Sequence, residues 1–117
     1  IKNHVALDAI MHGTADKAAI EDMIAAFNIA EALYKINPKL GLDYANEIKE
    51  AQDAIYALGK RFLSTGKIVF TGPEMMAVRQ AMDVHDAQLD ECTVKEMEKA
   101  IDFVNTVYRN KTARSIA

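Results

Sequence analysis

His4, Asp8 and His12 are spaced four residues apart, which stacks them along one face of a helix. Two imidazoles and a carboxylate suit zinc, nickel or ferrous iron. The outer two lie about 12 Å apart along a helix axis, so one ion takes an adjacent pair rather than all three. His85 could complete such a pair from elsewhere in the chain. The plainer reading is a polar face on a short surface helix, with Asp8 accepting a hydrogen bond from a histidine. The spacing makes these four residues weak metal candidates, and no cofactor is expected.

A second cluster gathers Asp83, His85, Asp86, Asp90, Glu91 and Cys92. Asp83, Asp86 and Asp90 share a helix face through three-and-four spacing, whereas His85 falls on the apolar seam beside them. A histidine in that position is a core or contact residue with one nitrogen satisfied. Arg79 precedes Asp83 by four residues, so an ion-pair row accounts for the acidic face. Cys92 follows Glu91, and an acidic neighbour does not lower a thiol pKa. No nucleophile elbow, phosphate loop or dinucleotide glycine pattern occurs. The residues therefore predict a protein that is not an enzyme.

Basic residues form two patches, Lys60/Arg61/Lys67 and Arg109/Lys111/Arg114. Both fall at or beyond expected helix C-termini, where cations complement the helix dipole. The outer faces of the last two expected helices are rich in Asp and Glu, which is wrong for a recognition helix. A small DNA-binding regulator is thus an alternative that the charge pattern argues against, as does the net charge of −3.

The elements that must position these groups are all helical. Thr14–Ile36 is the central stretch: Ile20, Met23, Phe27, Ala30 and Tyr34 form one apolar row. Ala19, Ala26 and Leu33 form a second, and Ile24, Ile29 and Ile36 widen it, so neighbours should cover this helix on more than one side. Thr14 is the expected N-cap, with Asp16 in the first turn, and Asn37-Pro38 ends the helix. Asp43 is expected to cap a third helix to about Ser64. Its seam, Tyr44, Ile48, Ala51, Ile55, Leu58 and Phe62, has heptad spacing, and Gly66 stops it. Lys67–Phe70 is too short and isolated for a strand, and reads as an extended connector that tucks Ile68 or Phe70 into the core. A fourth helix opens at Thr71-Gly72-Pro73-Glu74 with seam Met75, Val78, Met82, His85 and Leu89. Thr93-Val94-Lys95-Glu96 is a capping box for a fifth, with seam Val94, Met97, Ile101, Val104 and Tyr108. The two-residue joint between them makes either an antiparallel hairpin or a bent pair. A short helix from about Lys2 to Met11 precedes them all, and residues 110–117 are expected to fray.

The 117 residues fit one domain, half apolar and a quarter charged. One cysteine excludes an internal disulfide and fits a reducing compartment. No apolar run reaches the roughly 20 residues of a membrane helix, and no signal peptide is visible, so the expected location is cytoplasmic.

FTGPEMMAV (Phe70–Val78) and HDAQLDECTVKEMEKA (His85–Ala100), with HVALDAI (His4–Ile10) and IAEAL (Ile29–Leu33), resemble short uncharacterised proteins of proteobacterial phages, prophages and plasmids. The resemblance implies no activity and transfers no site residues. It implies a small accessory factor that acts by binding another protein.

The expectation is an all-α single domain, a bundle of four long helices plus a short N-terminal one. Its function is expected to be that of a non-enzymatic interaction or regulatory factor working through helix faces, with a protein partner, for which a second copy of itself is one candidate. The expected contact residues are Met75, Val78, Met82, His85, Leu89 and Met97. A metal-binding helical protein is the alternative from another class.

Overall fold

The computed structural model describes Leu7, Ala9, Ile10 and residues 16–116, with side chains described through residue 107. The described residues are helical apart from short connections, with no strand among them. His4, Asp8, His12 and most of the expected N-terminal helix lie outside them. Leu7 and Ile10 are buried.

Helix α1 spans Lys17–Ile36. Asp16, not Thr14, is its N-cap: the carboxylate accepts from the Ala19 amide at 3.2 Å. A carboxylate there satisfies an orphan donor and also meets the positive end of the helix dipole. Asn37 closes the helix in an extended conformation, as the residue before Pro38 must.

The chain then turns through Leu42–Tyr44, a single 3-10 turn, into α2, Ala45–Thr65. Asp43 lies within that turn and does not cap α2. The helix is entered without a break, so its N-terminal residue Tyr44 has no side-chain cap. The heptad seam is buried at Ile48, Ala51, Ile55 and Leu58 and opens at its ends, where Tyr44 is exposed and Phe62 half-buried. Gly66 stops the helix at φ +72°, a conformation that glycine adopts without strain.

The connector 67–70 is extended, with Phe70 buried and Ile68 packed against the core. Arg61 pins it. The guanidinium donates to the Val69 carbonyl at 2.9 Å and grips Glu74 through both carboxylate oxygens. Glu74 is also half of the capping box that opens α3, Gly72–Glu91, its partner being Thr71. The Arg61 hydrogen bond, foremost, holds the Glu74 carboxyl below its usual pKa. The second capping box forms as expected between Thr93 and Glu96, at 2.8 and 3.1 Å, and opens α4, Val94–Ile116. Helical backbone continues past Asn110 to Ile116.

Packing follows the two-sidedness of α1. Nine residues, or two and a half turns, separate Ile20 from Ile29, so the two leave the helix on opposite sides. On one side, Ile20, Met23 and Phe27 meet the α2 seam and Val78, Ala81 and Met82 of α3 in the larger core. On the other, Ile29, Ala32, Leu33 and Ile36 meet Leu40 and the Met97, Ala100 and Val104 face of α4. Helix α4 packs on α1 and barely touches α3. The joint at Cys92-Thr93 therefore makes a bent pair, not a hairpin. Helix α1, Lys17–Ile36, is the hub of the described fold, since the other three long helices all rest on it.

Candidate functional site

His85 is only 2 % exposed and Gln88 3 %, the two buried polar residues among those described. They stand one turn apart on α3 and face each other, His85 Nδ1 to Gln88 Oε1 at 3.0 Å. The Gln88 amide nitrogen donates to two backbone carbonyls, Ala30 of α1 at 3.0 Å and Leu40 of the loop at 2.7 Å. Only an NH2 group can serve two carbonyls, which fixes the amide orientation. The oxygen must then face the imidazole, so Nδ1 carries the proton of the neutral ring. Gly41 sits at φ +99° against this knot, and a Cβ there would lie 3.1 Å from the Gln88 nitrogen. The pair thus ties α3 to α1 and to the loop at the edge of both cores.

Burial, opposed by the Gln88 hydrogen bond and the charge of Asp86, holds the His85 pKa below 6.5. The neutral ring is the form that folds. Above pH 6.5 both folded and unfolded chains are neutral at this group, and stability is complete. As pH falls below 6.5 the unfolded chain takes up the proton first, and stability is lost until the folded value is passed. Unfolding free energy measured between pH 7 and 5 should fall with acid, by at most about 1.4 kcal/mol per pH unit for this proton. His85→Asn should remove that slope, whatever it does to stability at pH 7. Equal slopes in the two proteins would refute the assignment. The lowered carboxyls of Glu74 and Glu96 act only below their reference value of 4.5.

The other candidate residues do not converge. Among the described residues no three His, Cys, Asp or Glu side chains are placed to hold a metal ion. Asp83, Asp90 and Glu91 are exposed, and Cys92 is half-buried against the smaller core. The basic patch at 60–67 is divided: Lys60 lies 4.7 Å over the Tyr56 ring while Arg61 is committed to Glu74. The side chains of Arg109, Lys111 and Arg114 lie outside the described residues.

The six expected contact residues fall in two places. Val78, Met82 and His85 are buried inside the chain itself, with Met75 packed half-buried beside them. Met97 belongs to the smaller core, beyond the bend. Leu89 is exposed, because the α3 seam shifts by one residue to Gln88 in its last turn. In this fold a partner has no access to the three buried ones.

A different apolar surface is open. Ile24 of α1 is 43 % exposed, and Phe103 and Val107 of α4 are 47 % and 40 %. They line a groove of about 530 Å³ between the two helices, with Ala25, Asn28 and Val104 alongside and Glu21 and Glu31 at its rim. Phe103 and Val107 lie off the 94–108 seam, so periodicity gave them no role. What singles them out is that a large residue neighbouring the seam has no third helix to cover it. No protein-family model, curated protein or solved structure matches the chain.

Proposed function

We propose that this protein acts by binding another polypeptide, not by catalysis, and that the α1–α4 groove is its contact surface. The observation behind the proposal is the half-exposure of Ile24, Phe103 and Val107 around one groove, in a chain whose large seam residues are mostly closed into two cores. Large apolar side chains grouped on a surface mark contact sites, and aromatic residues are favoured anchors in them. The most buried titratable group described, His85, is hydrogen-bonded to Gln88, the side chain that ties α3 to α1 and to the 38–42 loop, which supports a structural use of that histidine. A role as a small cytoplasmic accessory factor, of phage or plasmid kind, belongs to the same proposal and rests on the resemblance of residues 70–78 and 85–100.

The test is to compare wild-type protein with Phe103→Glu in affinity capture from host extract and in self-association. Phe103 lies half in water, so the variant should fold, at a cost of about 1 kcal/mol for the half of the ring that is covered. Association should be abolished. Capture and self-association both unaffected by Phe103→Glu and by Val107→Glu would overturn the proposal.

A further inference from the structure

We infer that the end of the molecule around residues 56–69 is a second contact surface, and that it docks on a lipid bilayer carrying anionic headgroups. This surface shares no residue with the α1–α4 groove, and the inference does not depend on the reading of that groove.

The charge is segregated in the sequence itself. Residues 54–73 form the longest run without Asp or Glu, and they hold Lys60, Arg61 and Lys67. Three of the 14 basic residues and none of the 17 acidic ones fall there, so a run of +3 sits in a chain whose remainder, 11 against 17, is −6. Arg61 is engaged with Glu74, while Lys60 and Lys67 are exposed. Asp53, the acid just before the run, is already matched by Lys49 at 3.8 Å.

Apolar side chains stand out among these cations. Tyr56, Lys60 and Leu63 share one face of α2 through four-and-three spacing, with Lys60 4.7 Å over the Tyr56 ring. Leu63 is 84 % exposed, more than any other large apolar residue described. Beyond Gly66 the connector alternates: Ile68 and Phe70 turn into the core, and Val69, 60 % exposed, turns out. The Lys67 amide donates to Thr65 Oγ1 at 3.2 Å and Arg61 donates to the Val69 carbonyl, which keeps both residues at the same end of the molecule as Leu63.

The helix dipole accounts for cations at this end of α2, but it gives Leu63 and Val69 no reason to stand in water. A nucleic acid rewards the cations and gains nothing from the leucine and valine. An anionic bilayer surface rewards every member of the set. Leu63 and Val69 enter the acyl boundary, and the lysine stems lie along it with their ammonium groups among the headgroups. The Tyr56 ring suits the interface between the two. Two lysines alone hold weakly, so the apolar side chains must share the attachment. Such docking is peripheral: no helix among the described residues is long and apolar enough to cross a membrane.

Co-sedimentation of the full chain with vesicles, at low salt, tests this. Wild type should bind vesicles of phosphatidylcholine with phosphatidylglycerol, and bind phosphatidylcholine alone at least about tenfold more weakly. Leu63→Ser combined with Val69→Ser leaves the charge unchanged and should weaken binding at least about tenfold. Lys60→Gln combined with Lys67→Gln should do the same. Circular dichroism and the thermal midpoint check that each variant is folded. Val94→Ser, which alters an exposed apolar residue at the far end of α3, should bind as wild type does. Absence of wild-type binding to the anionic vesicles overturns the inference. So does binding that the Leu63/Val69 pair leaves unchanged, because charge alone would then account for it. Retention of single-stranded DNA without any binding to vesicles would assign the same cations to a nucleic acid instead.

Discussion

Met82→Glu is expected to leave the protein unfolded at neutral pH. Met82 is sealed in the larger core with Phe27, Leu58 and Val78. A carboxylate there has two ways to exist. It can stay ionised without a partner, or it can take up a proton against its normal pKa. Either way the cost is several kcal/mol. A domain of this size is stable by about 5–15 kcal/mol in all, so one such group removes much or all of it. Met82→Leu, close in volume, should cost less than about 1.5 kcal/mol. Circular dichroism and urea melts of the pair give the measurement. A folded Met82→Glu that had merely lost self-association would place this residue at an interface instead of inside the chain.

Gln88→Leu comes next in size, with an expected loss of about 3–4 kcal/mol. The replacement keeps most of the volume but takes away three hydrogen bonds. It strands the Nδ1 proton of His85 and the carbonyl of Leu40 in a buried place, and withdraws one donor from Ala30. Each buried group left without a partner costs about 1–3 kcal/mol. Because His85 is one of the stranded groups, His85→Leu with Gln88→Leu should cost less than the two separate losses added together. Strict additivity in denaturant melts would show that the two residues do not act as a pair. The loss at Gln88 should exceed that of a purely apolar truncation of the same size, because the side chain is also the tie between α3 and the 38–42 loop.

Local signals in the chain foretell most of this fold. Periods of three and four place Ile48, Ala51, Ile55 and Leu58, all of which are buried. Gly66, Pro73 and the two Thr-x-x-Glu boxes mark helix ends through interactions within four residues, and such interactions can be read wherever they occur. The breadth of the apolar surface on Thr14–Ile36 anticipates its two-sided burial. Gln88 shows where local reading stops. Its carbonyl partners are 58 and 48 residues away, so nothing near it in sequence distinguishes it from a surface glutamine. The same holds for Arg61, whose position near a helix end suggests the dipole while its real partner is Glu74 on the next helix. Phe103 and Val107 were hidden for a related reason. Periodicity tells which residues line a helix face, but not how many neighbours arrive to cover it.

Helix α4 rests on α1 alone among the long helices, which divides the molecule into units of unequal permanence. Helices α1, α2 and α3 enclose the larger core, to which α4 contributes no residue among those described. The fourth helix is held by the small cluster around Ala32, Leu33 and Ala100 and by the Asn37–Glu96 hydrogen bond of 2.8 Å. With so few contacts beyond α1, it is expected to be the first element to open in native fluctuations, which faster amide hydrogen exchange in α4 than in α2 or α3 would show. A ligand seated in the α1–α4 groove would touch both helices, would bind only while α4 is docked, and would suppress the opening of α4 by mass action.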